Sequence, residues 1–244
     1  KTAPYLYSAA SKIAALLKVA HALTLLETQG AGPLYEYMEK MAIDAQKGAS
    51  KAARNIIGDP HIIKARNLVN ELVKEGHMHP KLEALKHILV DQFHKNPNSK
   101  VIVFNHYREN ILAIGDYLEG IESIRSKRFV GQATKREGDK GLTQKEQVQI
   151  IADLKEGKYN TLIASSVAEE GLDIPEVDLV VFYEPVPSEI RMIQRRGRTG
   201  RKSEGRVVIL MAKNTRDEAF YYSSRQKERK MHASSSCPER LAST

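Results

Sequence analysis

The segment QRRGRTGR, residues 194–201, packs four arginines, one glutamine and two glycines into eight positions. Cations so close together repel one another, so the arrangement makes sense where an anion comes to meet them. Planar guanidinium groups suit bidentate contact with phosphate. The segment follows the helical pattern SEIRMI, and if that helix continues, Arg195, Arg198 and Arg201 share a face at three-residue spacing. The plain alternative is a solvated basic helix end, where cations suit the helix dipole. Glycines where a helix would prefer alanine argue against it. An arginine that reaches a γ-phosphate in the transition state is a device of nucleotide hydrolysis.

A second group of polar residues lies in TLIASSVAEEGLDIPEVDLVVFYEP, residues 161–185. Ser165 and Ser166 end an apolar run, and their hydroxyls could donate to phosphate oxygens. Gly171 can take a positive φ where the chain turns back. Asp173 falls on a constrained loop between two apolar runs, with Ile174-Pro175 helping to fix it. An acid there could accept from ribose hydroxyls or hold an arginine; it could equally cap a tight turn, and the segment alone leaves both open.

Some chemistry is missing. No G-x-x-x-x-G-K-[ST] occurs, so no phosphate-cradling loop with its lysine is present in the sequence. DEAF, residues 217–220, looks like an acidic magnesium box but follows the arginine segment and sits in a helical pattern. Its acids are expected on a solvated face near a helix N-terminus. His77 and His79 flank Met78, but no cysteine or acid cluster stands beside them, so they read as a boundary loop and no metal site is expected.

These residues need elements to hold them. The 244 residues carry 38 Lys and Arg against 30 Asp and Glu, a net charge of +8 that suits a polyanionic partner. Cys237 is the only cysteine, so no intrachain disulfide forms and an intracellular compartment is the simpler expectation. The most apolar stretch, residues 13–26, is short for a membrane span and is interrupted by Lys18 and His21; it reads as a buried amphipathic helix. The chain begins with Lys1 rather than methionine, as a fragment would. Three helices are expected before residue 78: SAASKIAALLKVAHALTLLETQG, PLYEYMEKMAIDAQKG, and DPHIIKARNLVNELVKEG with Asp59 as its cap. A fourth begins at Pro80, with Leu82, Leu85, Ile88, Leu89 and Phe93 along one side. From there apolar runs alternate with helical segments: VIVFN, SIRSKRFVG, TLIASS, LVVFYEP and RVVILMA (206–212) as strands. The helices between and after them are YRENILAIGDYLEG, LTQKEQVQIIADLKEG with a Thr143–Glu146 capping box, and TRDEAFYYSSRQKERK. This alternation means an α/β fold with a doubly wound parallel sheet. Ligands bind such sheets at the carboxyl ends of the strands.

The order VIVFNHYREN, FVGQ, LTQKEQ, SSVAEEGLDIPEVD, QRRGRTGR resembles the second, RecA-like motor domain of superfamily 2 helicases. Within them it is most similar to the Hef/FANCM/Mph1 branch, which acts on forked and branched DNA. The resemblance covers roughly residues 80–231. It implies an α/β RecA-like motor domain over 79–231, preceded at 1–78 by a small all-helical insert domain such as Hef-type enzymes carry between their motor domains, with 232–244 as a disordered tail or linker. It also implies that Arg198 and Arg201 are arginine fingers at the γ-phosphate. Gly171 and Asp173 match the nucleotide-sensing loop, and Gln194 and Arg195 the start of the arginine motif that bridges ATP and the strand. Asn105, Arg108, Gly131, Gln132, Ser165 and Ser166 match positions that touch the nucleic-acid backbone. ATP and Mg2+ are the implied cofactors, the magnesium ligands coming from an N-terminal motor domain. The implied partners are that domain and forked or branched DNA, with no membrane. In archaeal Hef proteins a nuclease domain follows the motor; nothing in this chain resembles one. Two alternatives remain: the motor half of a duplex-RNA helicase of the Dicer/RIG-I type, and a non-catalytic nucleic-acid-binding module. The RTGR ending favours DNA, and intact Arg198, Arg201 and Asp173 oppose the non-catalytic reading.

Overall fold

The computed structural model describes residues 4–131, 141–165, 177–185, 205–223 and 226. Helices α1 (Pro4–Thr28), α2 (Ala31–Gln46), α3 (Lys51–Ile57) and α4 (Pro60–Lys74) come first. Then α5 (Pro80–Lys95), β1 (Val101–Asn105), α6 (Arg108–Leu118), β2 (Ser126–Phe129), α7 (Gln144–Lys155), β3 (Thr161–Ser165), β4 (Leu179–Phe182) and β5 (Arg206–Ile209) follow. A last helix, α8, covers 216–223.

The strands form one parallel sheet in the order β2-β3-β1-β4-β5. Its three central strands are buried along their whole length, which is why they read as unbroken apolar runs. Side chains alternate between faces. Val101, Val103, Ile163, Leu179 and Val181 meet Leu82, Leu85, Leu89 and Phe93 of α5 and Ile111, Ile114 and Leu118 of α6. Ile102, Phe104, Leu162, Val180 and Phe182 meet Ile150, Ile151 and Leu154 of α7. Helices therefore cover both faces, as the expected α/β class requires. The strand expected over 206–212 ends at Ile209, although the Leu210 N–H still donates to the Phe182 carbonyl at 2.8 Å.

Capping follows side-chain chemistry. Thr143 and Glu146 make the anticipated box on α7. Asp59 accepts from the His61 N–H at 2.8 Å to start α4. The helical region holds four helices where three were expected. The extra one, α3, is seven residues long and starts at Ser50, whose Oγ accepts from the Ala53 N–H at 3.1 Å. The expectation of a buried first helix is also corrected. Leu25 is buried in the helical core with Leu34, Met38, Met41, Ile56 and Val69, while Ile13, Leu16, Leu17 and Leu23 lie exposed along α1. By length and composition alone, Ser8–Thr28 is apolar enough to cross a membrane; its packing against α2 and α3 builds a bundle.

Candidate functional site

Gly131 follows β2, Ser165 ends β3, and Pro185 follows β4. These last described residues before 132–140, 166–176 and 186–204 all stand at the carboxyl edge of the sheet. Asn105 ends β1 in register with Ser165. The structure thus brings Asn105, Gly131 and Ser165 to one edge, and Arg108 opens α6 just beyond it. The side chain of Arg108 lies outside the described residues. So do Gln132, Ser166, Gly171, Asp173, Gln194, Arg195, Arg198 and Arg201, together with the tail at 232–244.

Asn105 needs a correction. A backbone contact to nucleic acid through its side chain requires exposure, but it is wholly buried. Its Nδ2 donates to Gln29 Oε1 at 3.1 Å, and its Oδ1 accepts from the Tyr107 N–H at 2.7 Å. Both ends of the amide are used internally, so Asn105 shapes the corner after β1. Ser165 is also buried at its strand end.

Around that corner lies a polar network that no motif announces. Gln29, at the end of α1, is buried against the sheet edge. Its Oε1 also accepts from Asn110 Nδ2 at 2.7 Å, while its Nε2 donates to Glu184 Oε2 and Thr28 Oγ1, each at 3.3 Å. The other Glu184 oxygen accepts from the His106 N–H. Tyr107 packs against the helical core, its ring 5.8 Å from that of His21. Burial pushes the Glu184 carboxyl up to about 7, with Asp217 adding to the rise and the His106 N–H, Lys81 and Gln29 opposing it. Burial likewise raises the Tyr107 hydroxyl to about 12, aided by the Glu184 and Asp217 charges.

A buried ion pair lies alongside. Lys81 Nζ donates to Asp217 Oδ2 at 2.8 Å and to the Tyr183 carbonyl at 2.9 Å. Asp217 Oδ2 also accepts from the Ala212 N–H at 3.1 Å. Asp217 was expected on a solvated face of the DEAF helix. It is buried instead, because Lys81 from α5 supplies the opposite charge that its carboxylate needs. Burial lowers the Lys81 pKa against the pull of Asp217. Arg216 Nη1 donates to Thr24 Oγ1 at 2.9 Å and ties α8 to α1. His79 caps α5, accepting from the Lys81 N–H through Nδ1 at 3.2 Å, and its Nε2 contacts the Glu27 carbonyl at 3.1 Å. Those two roles fix the Nε2–H tautomer. No group of three or more metal-ligating side chains occurs among the described residues.

The sequence held faint signals for these groups. Glu184 interrupts an apolar strand end in FYEP, and Gln29 sits between a helix and a glycine. Nothing in the sequence singles out Lys81, because its partner is 136 positions away.

Comparisons with known proteins agree with this architecture. The family model of the helicase conserved C-terminal domain matches residues 80–203, and a model of the helical bundle of ATP-dependent RNA helicases matches 3–79. A curated protein of Methanocaldococcus jannaschii, named as an ATP-dependent RNA helicase, is 43% identical over 88% of this chain and 26% of its own length. The ATP-dependent DNA helicase mph1 of Aspergillus terreus is 36% identical over 84% of the chain and 20% of its own length. The crystal structure of the Pyrococcus furiosus Hef helicase domain superposes with a TM-score of 0.68 and 51% identity, covering 87% of this chain and 42% of that one. The chain thus spans about a fifth to a quarter of the curated relatives it matches.

Proposed function

This chain belongs to the helicase conserved C-terminal domain family, in the Hef/Mph1 branch of superfamily 2, and from that membership we propose that it is the C-terminal motor half of an ATP-dependent helicase or translocase acting on forked or branched DNA. The observation that carries the reading is that the carboxyl ends of β1, β2, β3 and β4 share one edge, where Pro185 is the last described residue before 186–204. That segment contains QRRGRTGR. In this reading Arg198 and Arg201 stabilise charge on the γ-phosphate of ATP, as arginine fingers do in other nucleotide hydrolases. Gly171, Asp173, Gln194 and Arg195 line the nucleotide side. Arg108, Gly131, Gln132 and Ser166 meet the phosphodiester backbone, with Ser165 buried beneath them at the end of β3, and no base-reading motif is involved. ATP brings the phosphoryl group to be transferred, and Mg2+ is held by residues outside this chain. Residues 1–78 act as the insert, 79–231 as the motor domain.

A second reading has a specific observation behind it. The M. jannaschii relative and the helical-bundle family both carry RNA helicase in their descriptions. Duplex RNA is therefore the competing substrate.

A competition binding assay at fixed, near-physiological salt separates the two. Labelled forked DNA is challenged with linear duplex DNA and with duplex RNA. Preference for the fork is expected; preference for duplex RNA would transfer the protein to the RNA reading.

A further inference from the structure

Gln29 uses its whole hydrogen-bonding capacity across one junction. Its oxygen accepts from Asn105 and Asn110, and its nitrogen donates to Thr28 and Glu184. An amide offers two lone pairs and two N–H groups, and here all four are taken. Three of the four partners lie in the sheet domain, at the ends of β1 and β4 and in α6. Glu184 in turn holds the His106 N–H, and Asn105 holds the Tyr107 N–H. The Tyr107 ring closes the corner by packing into the helical core.

An apolar surface would join the two parts at lower cost, because burying a carboxyl group and three carboxamides carries a desolvation penalty. Apolar contacts, however, tolerate sliding. A directional network favours a single arrangement; Gln29 at its centre is satisfied at all four positions, while Asn110 Oδ1 is buried without a partner among the described residues. The corner it fixes, residues 105–107, leads directly into Arg108 at the start of α6. Gly30 makes the approach feasible: its φ of 100° turns the chain from α1 into α2, and a Cβ there would sit 2.9 Å from His79 Cβ.

We propose that Gln29 and Glu184 are positioning residues that lock the helical segment to the corner after β1, so that the seating of the helical segment sets the corner at 105–107 from which α6 and Arg108 start. The lock itself stands on the geometry; its consequence for strand binding rests on the proposed function above.

The network predicts an exchange of side chains. Gln29→Glu keeps the acceptor for Asn105 and Asn110 but sets a carboxylate against Glu184. Adding Glu184→Gln restores complementarity: the amide introduced at position 184 would donate to the carboxylate introduced at position 29 and still accept from the His106 N–H. Amide hydrogen exchange at His106 and Tyr107 and affinity for forked DNA are measured in this chain for wild type, Gln29→Glu and the exchanged pair. Gln29→Glu is expected to speed exchange at those two amides, and to weaken fork binding, by on the order of tenfold, a coupling typical of contacting residues. The exchanged pair returns both toward wild type. Unchanged exchange at 106–107 in Gln29→Glu overturns the proposal. If Gln29→Glu does not fold, the exchanged pair decides: recovery of fold and protection supports the lock, and failure to recover overturns it. Should the amides respond as expected while wild type shows no fork binding, the lock survives and the fork reading fails.

Discussion

Arg201 is one of the two arginines on which the proposed hydrolysis turns. Arg201→Ala in the complete protein is expected to lower the ATPase rate by roughly 10³–10⁵-fold, as loss of an arginine finger does elsewhere. Nucleic-acid affinity should stay nearly unchanged; equal loss of both would mean that Arg201 serves the strand. Lys81 offers a stability counterpart. Its side chain and that of Asp217 are only 5% and 6% exposed. Lys81→Met would strand a buried carboxylate and should cost about 3–5 kcal/mol in urea unfolding, whereas Lys81→Met with Asp217→Leu should recover most of it. Glu184 sets a pH dependence. Its folded pKa of about 7 lies above the ordinary 4.5, so the fold favours the neutral acid. That contribution is complete below pH 4.5 and is lost as pH rises through 7, an effect of at most roughly 3 kcal/mol. The facing groups are Lys81 and Asp217, with the Tyr107 and Tyr183 hydroxyls charged only at far higher pH. Burial lowers the His79 pKa, so His79 costs stability as pH falls and works in the opposite direction. Glu184→Gln should therefore flatten the decline in melting temperature between pH 4.5 and 7 while keeping the acid-side loss due to His79. An unaltered decline would show that Glu184 ionises freely.

At the scale of elements, what could be read in advance was what neighbouring residues decide. The strands at 101–105, 161–165 and 179–182 are continuous apolar runs because both faces of a central parallel strand are covered. Thr143 and Glu146 announced the start of α7 because both halves of a capping box lie within four residues. Helix α3 was missed because seven residues give too few turns for a periodic stripe; only Ala52, Ala53 and Ile56 are buried on it. Gly30 was legible as a stop, but its close approach to His79 was not, since that depends on where α5 begins. Gly30→Ala should thus be costly twice over, through the positive φ and through the 2.9 Å clash. A loss of about 1–3 kcal/mol is expected by thermal or urea unfolding. A similar loss from Gly76→Ala, also at positive φ but with nothing within 4 Å of the added carbon, would show that the clash contributes nothing.

Across the whole molecule, motif order made the candidate site legible, and long-range pairing hid the rest. QRRGRTGR and SSVAEEGLDIPEVD carry their chemistry within a few residues. Lys81–Asp217 and Gln29–Glu184 join positions 136 and 155 apart, and no local signal in either member points to its partner. DEAF shows the hazard in the other direction: a short string resembling a metal box contains an aspartate that is in fact paired with a lysine in the core. The same reasoning bears on activity. The chain supplies arginines for a γ-phosphate, but no G-x-x-x-x-G-K-[ST] occurs in its 244 residues. Without a lysine and a backbone cradle on the β- and γ-phosphates, the arginines have no oriented phosphoryl group on which to act. The pure chain, given ATP, Mg2+ and forked DNA, should therefore release phosphate no faster than the uncatalysed background, while still binding the fork. DNA-stimulated release that disappears in Arg201→Ala would show instead that this chain holds a complete nucleotide site, and the division of labour between two motor halves would have to be abandoned.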